Sequence, residues 1–142
     1  MSINWVNRDF PSAVGAYRKS SDENVAYNCI AYAAGNITEW WSHLPGYKWP
    51  AYRSPAIWSL IDVFKALGYE ERPANDTAFD IKYDKLALYA KGDLRKHAAR
   101  QLESGKWTSK LGEDEDIEHD NPDCLCGTKY GNIFCVMRKL RG

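Results

Sequence analysis

The sequence predicts an α+β domain, with N-terminal helices packed on an antiparallel β-meander. Three observations predict it. Residues 54–68, SPAIWSLIDVFKALG, carry apolar side chains at helical spacing between a start and a stop signal. Beyond Lys85 the apolar period shortens from 3.6 towards 2, in short runs parted by turn residues. The chain has 142 residues, 44% of them hydrophobic, with six tryptophans, which fits a single domain spanning 1–142 around one core.

The first twenty residues read as irregular, since Pro11 and Gly15 interrupt any period. SSDEN then offers Ser, Asp and Asn oxygens to the orphan amides of a first helical turn. A short helix follows through AYNCIAYAAG and stops at Gly35. EWWSHLPGYKWPAYR reads as a structured aromatic loop. In the next helix Ser54 is the expected N-cap, Pro55 suits the first helical position, and Gly68 is the exit. Ile57, Leu60, Ile61, Phe64 and Leu67 form its buried stripe, with Trp58 also assigned to the core. KLALYA, RKHAARQL, KWTSKLG and NIFCVMRK read as strands, KGDL and ESGK as turns, and the acidic EDEDIEHD as a solvated loop.

Composition excludes several classes. Nineteen basic and nineteen acidic residues balance, so no basic surface suggests nucleic-acid binding. No apolar run approaches the ~20 residues of a membrane helix. MSINWVNRDF lacks the apolar region of a secretory signal, so the cytoplasm, or export by a specialised route, is the expected location. The four cysteines at 29, 124, 126 and 135 are too few for a disulfide framework. His119, Cys124, Cys126 and Cys135 lie close in sequence, but CLC is too tight for zinc-ligand spacing, and no metal or cofactor is expected.

The chemistry turns on Cys29. A thiol in the first turn of a helix is helped towards its thiolate, whereas one in mid-helix is a small buried hydrophobe. The chain offers three histidines as a base: His43 in the aromatic loop, His97 in the second strand, and His119 among carboxylates. His97 stands out because the alanines beside it leave room for a helix end to approach the sheet. Trp40, Trp41 and Trp49 follow the Cys29 segment and could wall a groove.

A thiol on an early helix followed by a His on a meander strand resembles the papain-like cysteine hydrolases. YNCIAYAAG is similar to the polar-Cys-x-x-Tyr-Ala segment of CHAP and NlpC/P60 amidases, with Asn28 where CHAP domains carry Gln. NCIAYA, HAARQLESGKWTSKLG, EDIEH and YGNI together also resemble an uncharacterised bacterial family of small proteins, over residues 25 to 139. The resemblance implies a papain-like, NlpC/P60-like fold and a cysteine hydrolase that cleaves an amide through a Cys29–His97 dyad. The Cys29 amide and Asn28 would hold the oxyanion, with Trp41 and Gln101 as further substrate contacts. Ser109 is the expected orienter of His97, with Gln101, Thr108 and an EDED carboxylate as alternatives.

The expected partner is then a peptide or protein amide and, for an effector or toxin domain, a cognate inhibitor or immunity protein. The rival reading is a non-catalytic binding module, and a third is a zinc-stabilised interaction domain.

Overall fold

A computed structural model describes residues 17–21, 28–35, 40–110, 116–127 and 130–141. The description is built on one antiparallel sheet of seven strands. In chain order these are β1 (Tyr17–Ser21), β2 (Glu70–Arg72), β3 (Tyr83–Lys91), β4 (Leu94–Gln101), β5 (Trp107–Lys110), β6 (Asp116–His119) and β7 (Asn132–Leu140). Their order across the sheet is β1-β6-β5-β4-β3-β7-β2. Two α-helices, α1 (Cys29–Ala33) and α2 (Ile57–Ala66), and a 3₁₀ turn (Pro122–Leu125) accompany it.

This corrects the predicted architecture. The papain-like plan of N-terminal helices laid on a meander does not hold. The described chain opens on a strand, β1, which crosses to the far edge and pairs with β6. Helix α1 is only five residues long, and the sheet is closed at its other edge by β2 against β7. The acidic stretch was expected to be solvated, yet its Asp116–His119 end pairs with both β5 and β1. Pairing on two sides satisfies its backbone, and Glu118 stays half-buried. The SSDEN start signal lies mostly outside the described residues, as do Glu113–Glu115 of EDED.

Helix α2 shows how tertiary contacts replace a sequence cap. Its N-cap is Ala56, with no side-chain cap bond, and not the expected Ser54. The Ile57 amide instead donates to the Asp93 carbonyl in the β3–β4 turn at 2.7 Å. Ser54 Oγ accepts only from the Ala56 amide. At the other end Gly68 adopts φ +95°, and the Tyr69 amide returns to the Phe64 carbonyl, closing the helix as a glycine exit does. Trp58 corrects a second expectation: it is 48% exposed and stacks on Tyr52, because it lies on the face away from the Ile57, Leu60, Ile61 and Phe64 stripe.

The sheet buries apolar groups on both faces. One face carries Leu86, Leu88, Ala98, Cys135 and Met137 under α1, α2 and the aromatic loop. The other carries Ala87, Tyr89, Ala99, Trp107 and Ile117, with Leu125 and Tyr130 packed over them. Strand alternation therefore sends Ala98 to one core and Ala99, its neighbour on β4, to the other.

Candidate functional site

Asn28 caps α1 and does more besides. Its Oδ1 accepts from the Ala31 amide at 3.1 Å and from the Trp41 amide at 3.2 Å, while Nδ2 donates to the Trp41 carbonyl. The side chain thus fixes the start of α1 to the aromatic loop. Its oxygen and one of its amide N–H groups are engaged in that role. Trp41 itself is 3% exposed and forms part of the core, so it walls no groove. Trp49 is likewise buried, with its indole N–H given to Ser59 Oγ at 2.9 Å.

Cys29 is half-buried at the first position of α1, against the α1 side of the sheet. Burial pushes its thiol pKa up, and that effect prevails over the lowering by the backbone of Ala98, the charge of Arg95 and the backbone of Ile30. Arg95 lies over the Trp49 ring, 4.6 Å from its centroid, and its Nη2 donates to His43 Nδ1 at 2.8 Å. Burial, then the charges of Arg95 and Arg53, hold the His43 pKa below its usual value.

His97 is on the opposite face. Its ring stacks on Tyr130 at 4.2 Å and 5°, and packs on Tyr89, its cross-strand partner, at 5.2 Å. The neighbouring residue, Ala98, is the one that faces α1. The sheet therefore lies between Cys29 and His97, and the two are not brought together. Neither ring nitrogen of His97 has a hydrogen-bond partner, and burial, with the nearby His119, pushes its pKa well down.

Ser109 shares the His97 face but bonds His119, Oγ to Nε2, at 2.8 Å. The other His119 nitrogen, Nδ1, donates to the Asn121 carbonyl at 2.9 Å, which leaves Nε2 to accept the Ser109 hydroxyl proton. This pair has the bonding pattern of an activated serine, yet both residues are 0% exposed. Burial lowers the His119 pKa to about 4. The pair is a core network. Gln101 gives its amide to the Thr77 and Gly105 carbonyls, anchoring loops. Thr108 bonds Tyr32 on α1 and the Ile117 carbonyl, so it fastens α1 to β5.

Cys135 faces the α1 side, with burial raising its thiol pKa to about 12, whereas His119 is buried in the other face. No cluster of three potential ligands occurs among the described residues.

A different set of residues does line an open cavity. At the C-terminal ends of α1 and β4 lies a cleft of about 340 Å³, bounded by Gly35, Tyr69, Asp84, Arg100, Glu103 and Arg141 among others. Arg100 faces it from β4, over the Tyr32 ring at 5.4 Å, and among the described residues its guanidinium has neither an ion-pair nor a hydrogen-bond partner. Tyr69 is close enough to feel both charges: after burial, Asp84 raises its pKa and Arg100 lowers it. Arg141 bonds Asp84 at 2.9 Å and approaches Glu103 at 3.7 Å. Sequence reasoning missed this cleft. Its one legible signal is Arg100, a cation two residues from Ala98 and hence on the core-facing side of a strand.

The fold is thus a two-sided antiparallel sheet, and its open site is a polar cleft built around an arginine. The chain belongs to the family described as a domain of unknown function (DUF7689), whose profile covers residues 18–138. No curated protein and no solved structure matches it. No helix among the described residues is long and apolar enough to cross a membrane.

Proposed function

We propose that the protein is a binding module that holds the carboxylate of a small ligand on Arg100. The observation that carries this reading is a half-buried guanidinium with no anion among the described residues, facing a cleft large enough for a small molecule. An arginine removed from water loses hydration that only an anion restores well, and its planar fork matches a carboxylate. The Tyr69 hydroxyl, beside it, is a second donor in reach of the same cleft. The volume lies near the lower end of the range for small-molecule sites, about 300–1,000 Å³.

The test is an NMR titration of backbone amides with acetate and longer carboxylates, in wild type and Arg100→Gln. Saturable shifts at Gly35, Tyr69 and Leu102 that vanish in the variant are expected. Equal shifts in both proteins would remove Arg100 from the site.

A second reading, the amide-cleaving cysteine hydrolase, draws on Cys29 alone: Arg95 and three backbone groups favour its thiolate. It needs a base other than His97. We expect Cys29 to alkylate only above the free-thiol range, near pH 8.5, and to do so identically in His97→Ala. Rapid alkylation below pH 7 would restore the hydrolase reading at the expense of the binding module.

A further inference from the structure

We infer that the ligand of the Arg100 cleft is zwitterionic, an amino acid or a very short peptide carrying a free ammonium as well as a carboxylate. This rests on the binding-module reading and specifies its ligand. The cleft's charges are not evenly paired. At one side Arg100 has no carboxylate among the described residues. At the other, two carboxylates share the Arg141 guanidinium, whose Nε bonds Asp84 Oδ1 at 2.9 Å and whose Nη1 lies 3.7 Å from Glu103, while Lys139, the cross-strand partner of Asp84, turns its ammonium over the Tyr69 ring at 5.8 Å. The second oxygen of Asp84 accepts no hydrogen bond from a described residue, and both carboxylates remain in contact with solvent, at 48% and 90% side-chain exposure.

A simple anion would gain from Arg100 but leave the second oxygen of Asp84 without a donor. A simple cation would do the reverse. A molecule with both charges satisfies both sides at once, and each wrong charge state leaves one side unpaired. Tyr69 stands where both fields are felt, so its neutral phenol can donate to the ligand carboxylate without adding charge. Of the two acids Asp84 is the better ammonium partner, being the less exposed and already oriented by Arg141.

The experiment is a titration of the full chain by amide NMR with leucine, N-acetyl-leucine and leucinamide, followed by the other common amino acids and their N-acetyl forms. One amino acid or more should bind saturably at the cleft. Its N-acetyl and amide forms should each bind about tenfold more weakly or worse, the factor expected for one lost charged hydrogen bond. Asp84→Asn should abolish the discrimination against the N-acetyl form, while Arg100→Gln should remove binding of both. Equal binding of an amino acid and its N-acetyl form would overturn the zwitterion inference and leave the carboxylate site standing. No binding by any member of the panel, or by acetate, would overturn both. Since both substitutions are at accessible positions, the amide spectrum itself reports whether each variant is folded.

Discussion

At the level of single residues, Asn28 carries more of the structure than the cysteine beside it. Its carboxamide satisfies a helix amide and both backbone groups of Trp41. Asn28→Ala should therefore cost more than a lost cap. A cap alone is about 1 kcal/mol, and the buried Trp41 groups left without partners add ~1–3 kcal/mol. Asn28→Asp keeps the acceptor but loses the donor to the Trp41 carbonyl, so it should fall between wild type and Ala. Urea unfolding of the three proteins checks the order, and an Ala variant within 0.5 kcal/mol, roughly the scatter of surface substitutions, would contradict it. The sequence offered SSDEN as the helix start and left Cys29 open between a first-turn and a mid-helix place; the structure makes Asn28 the cap. The sequence did not make the Cys29–His97 separation legible, because the small neighbours of His97 were taken together. Ala98 does admit α1, but Ala99 shares the face of His97, where aromatic rings fill the space.

Among the elements, the segment that closes the second face is held by two glycines. Gly127 and Gly131 exchange backbone hydrogen bonds at 2.9 and 2.8 Å, and Tyr130, between them in the chain, covers His97. Gly131 has φ +74°, and a Cβ there would meet the Ala90 carbonyl oxygen at 2.1 Å. Gly46, at φ +91°, has open space around it. Both alanine variants suffer the backbone penalty, ~1 kcal/mol or somewhat more. Only Gly131→Ala also forces β3 apart from the segment, so thermal unfolding should place it well below Gly46→Ala. Comparable melting temperatures would mean that the segment can shift away from β3. Helix α2 and the strands from β3 to β5 were legible from periodicity and glycine punctuation, since their signals are local. Strands β1, β2 and β6 were not. Each is short and is made a strand by its partners: β1 by β6, β6 by β5 and β1 together, and β2 by β7. The cleft escaped for the same reason, since Arg100, Asp84 and Arg141 meet only when three chain segments converge.

At the scale of the whole molecule, a sheet with two buried faces places two histidines where a proton cannot be accommodated. His97 and His119 both have pKa values lowered first by burial, His119 to about 4 and His97 well below the ordinary 6.5. The groups facing His97 are the Tyr89 and Tyr130 rings, with His119 as the nearby titratable group, and no carboxylate of the described residues lowers the cost of its charge. A depressed histidine leaves the native state neutral while the unfolded chain takes up a proton below pH 6.5. Stability is then complete above that value and falls as the pH drops towards the native pKa. Each histidine contributes a slope of up to about 1.4 kcal/mol per pH unit. Asp76 adds a later loss: burial alone would raise its carboxyl, but hydrogen bonds from Lys85 and Arg72 outweigh that and hold it below its ordinary 3.8. Urea unfolding between pH 7.5 and 4.5 should therefore show a steep decline that begins below neutrality, before carboxylates titrate. His97→Phe preserves the stack on Tyr130, removes two unpaired nitrogens and deletes one proton from the linkage. It should be the more stable protein at pH 5, with a shallower slope by about one proton's worth. If the slope is unchanged, His97 finds a proton acceptor in the native state, and the stacking that shuts it away from Cys29 is not the arrangement the protein adopts in solution.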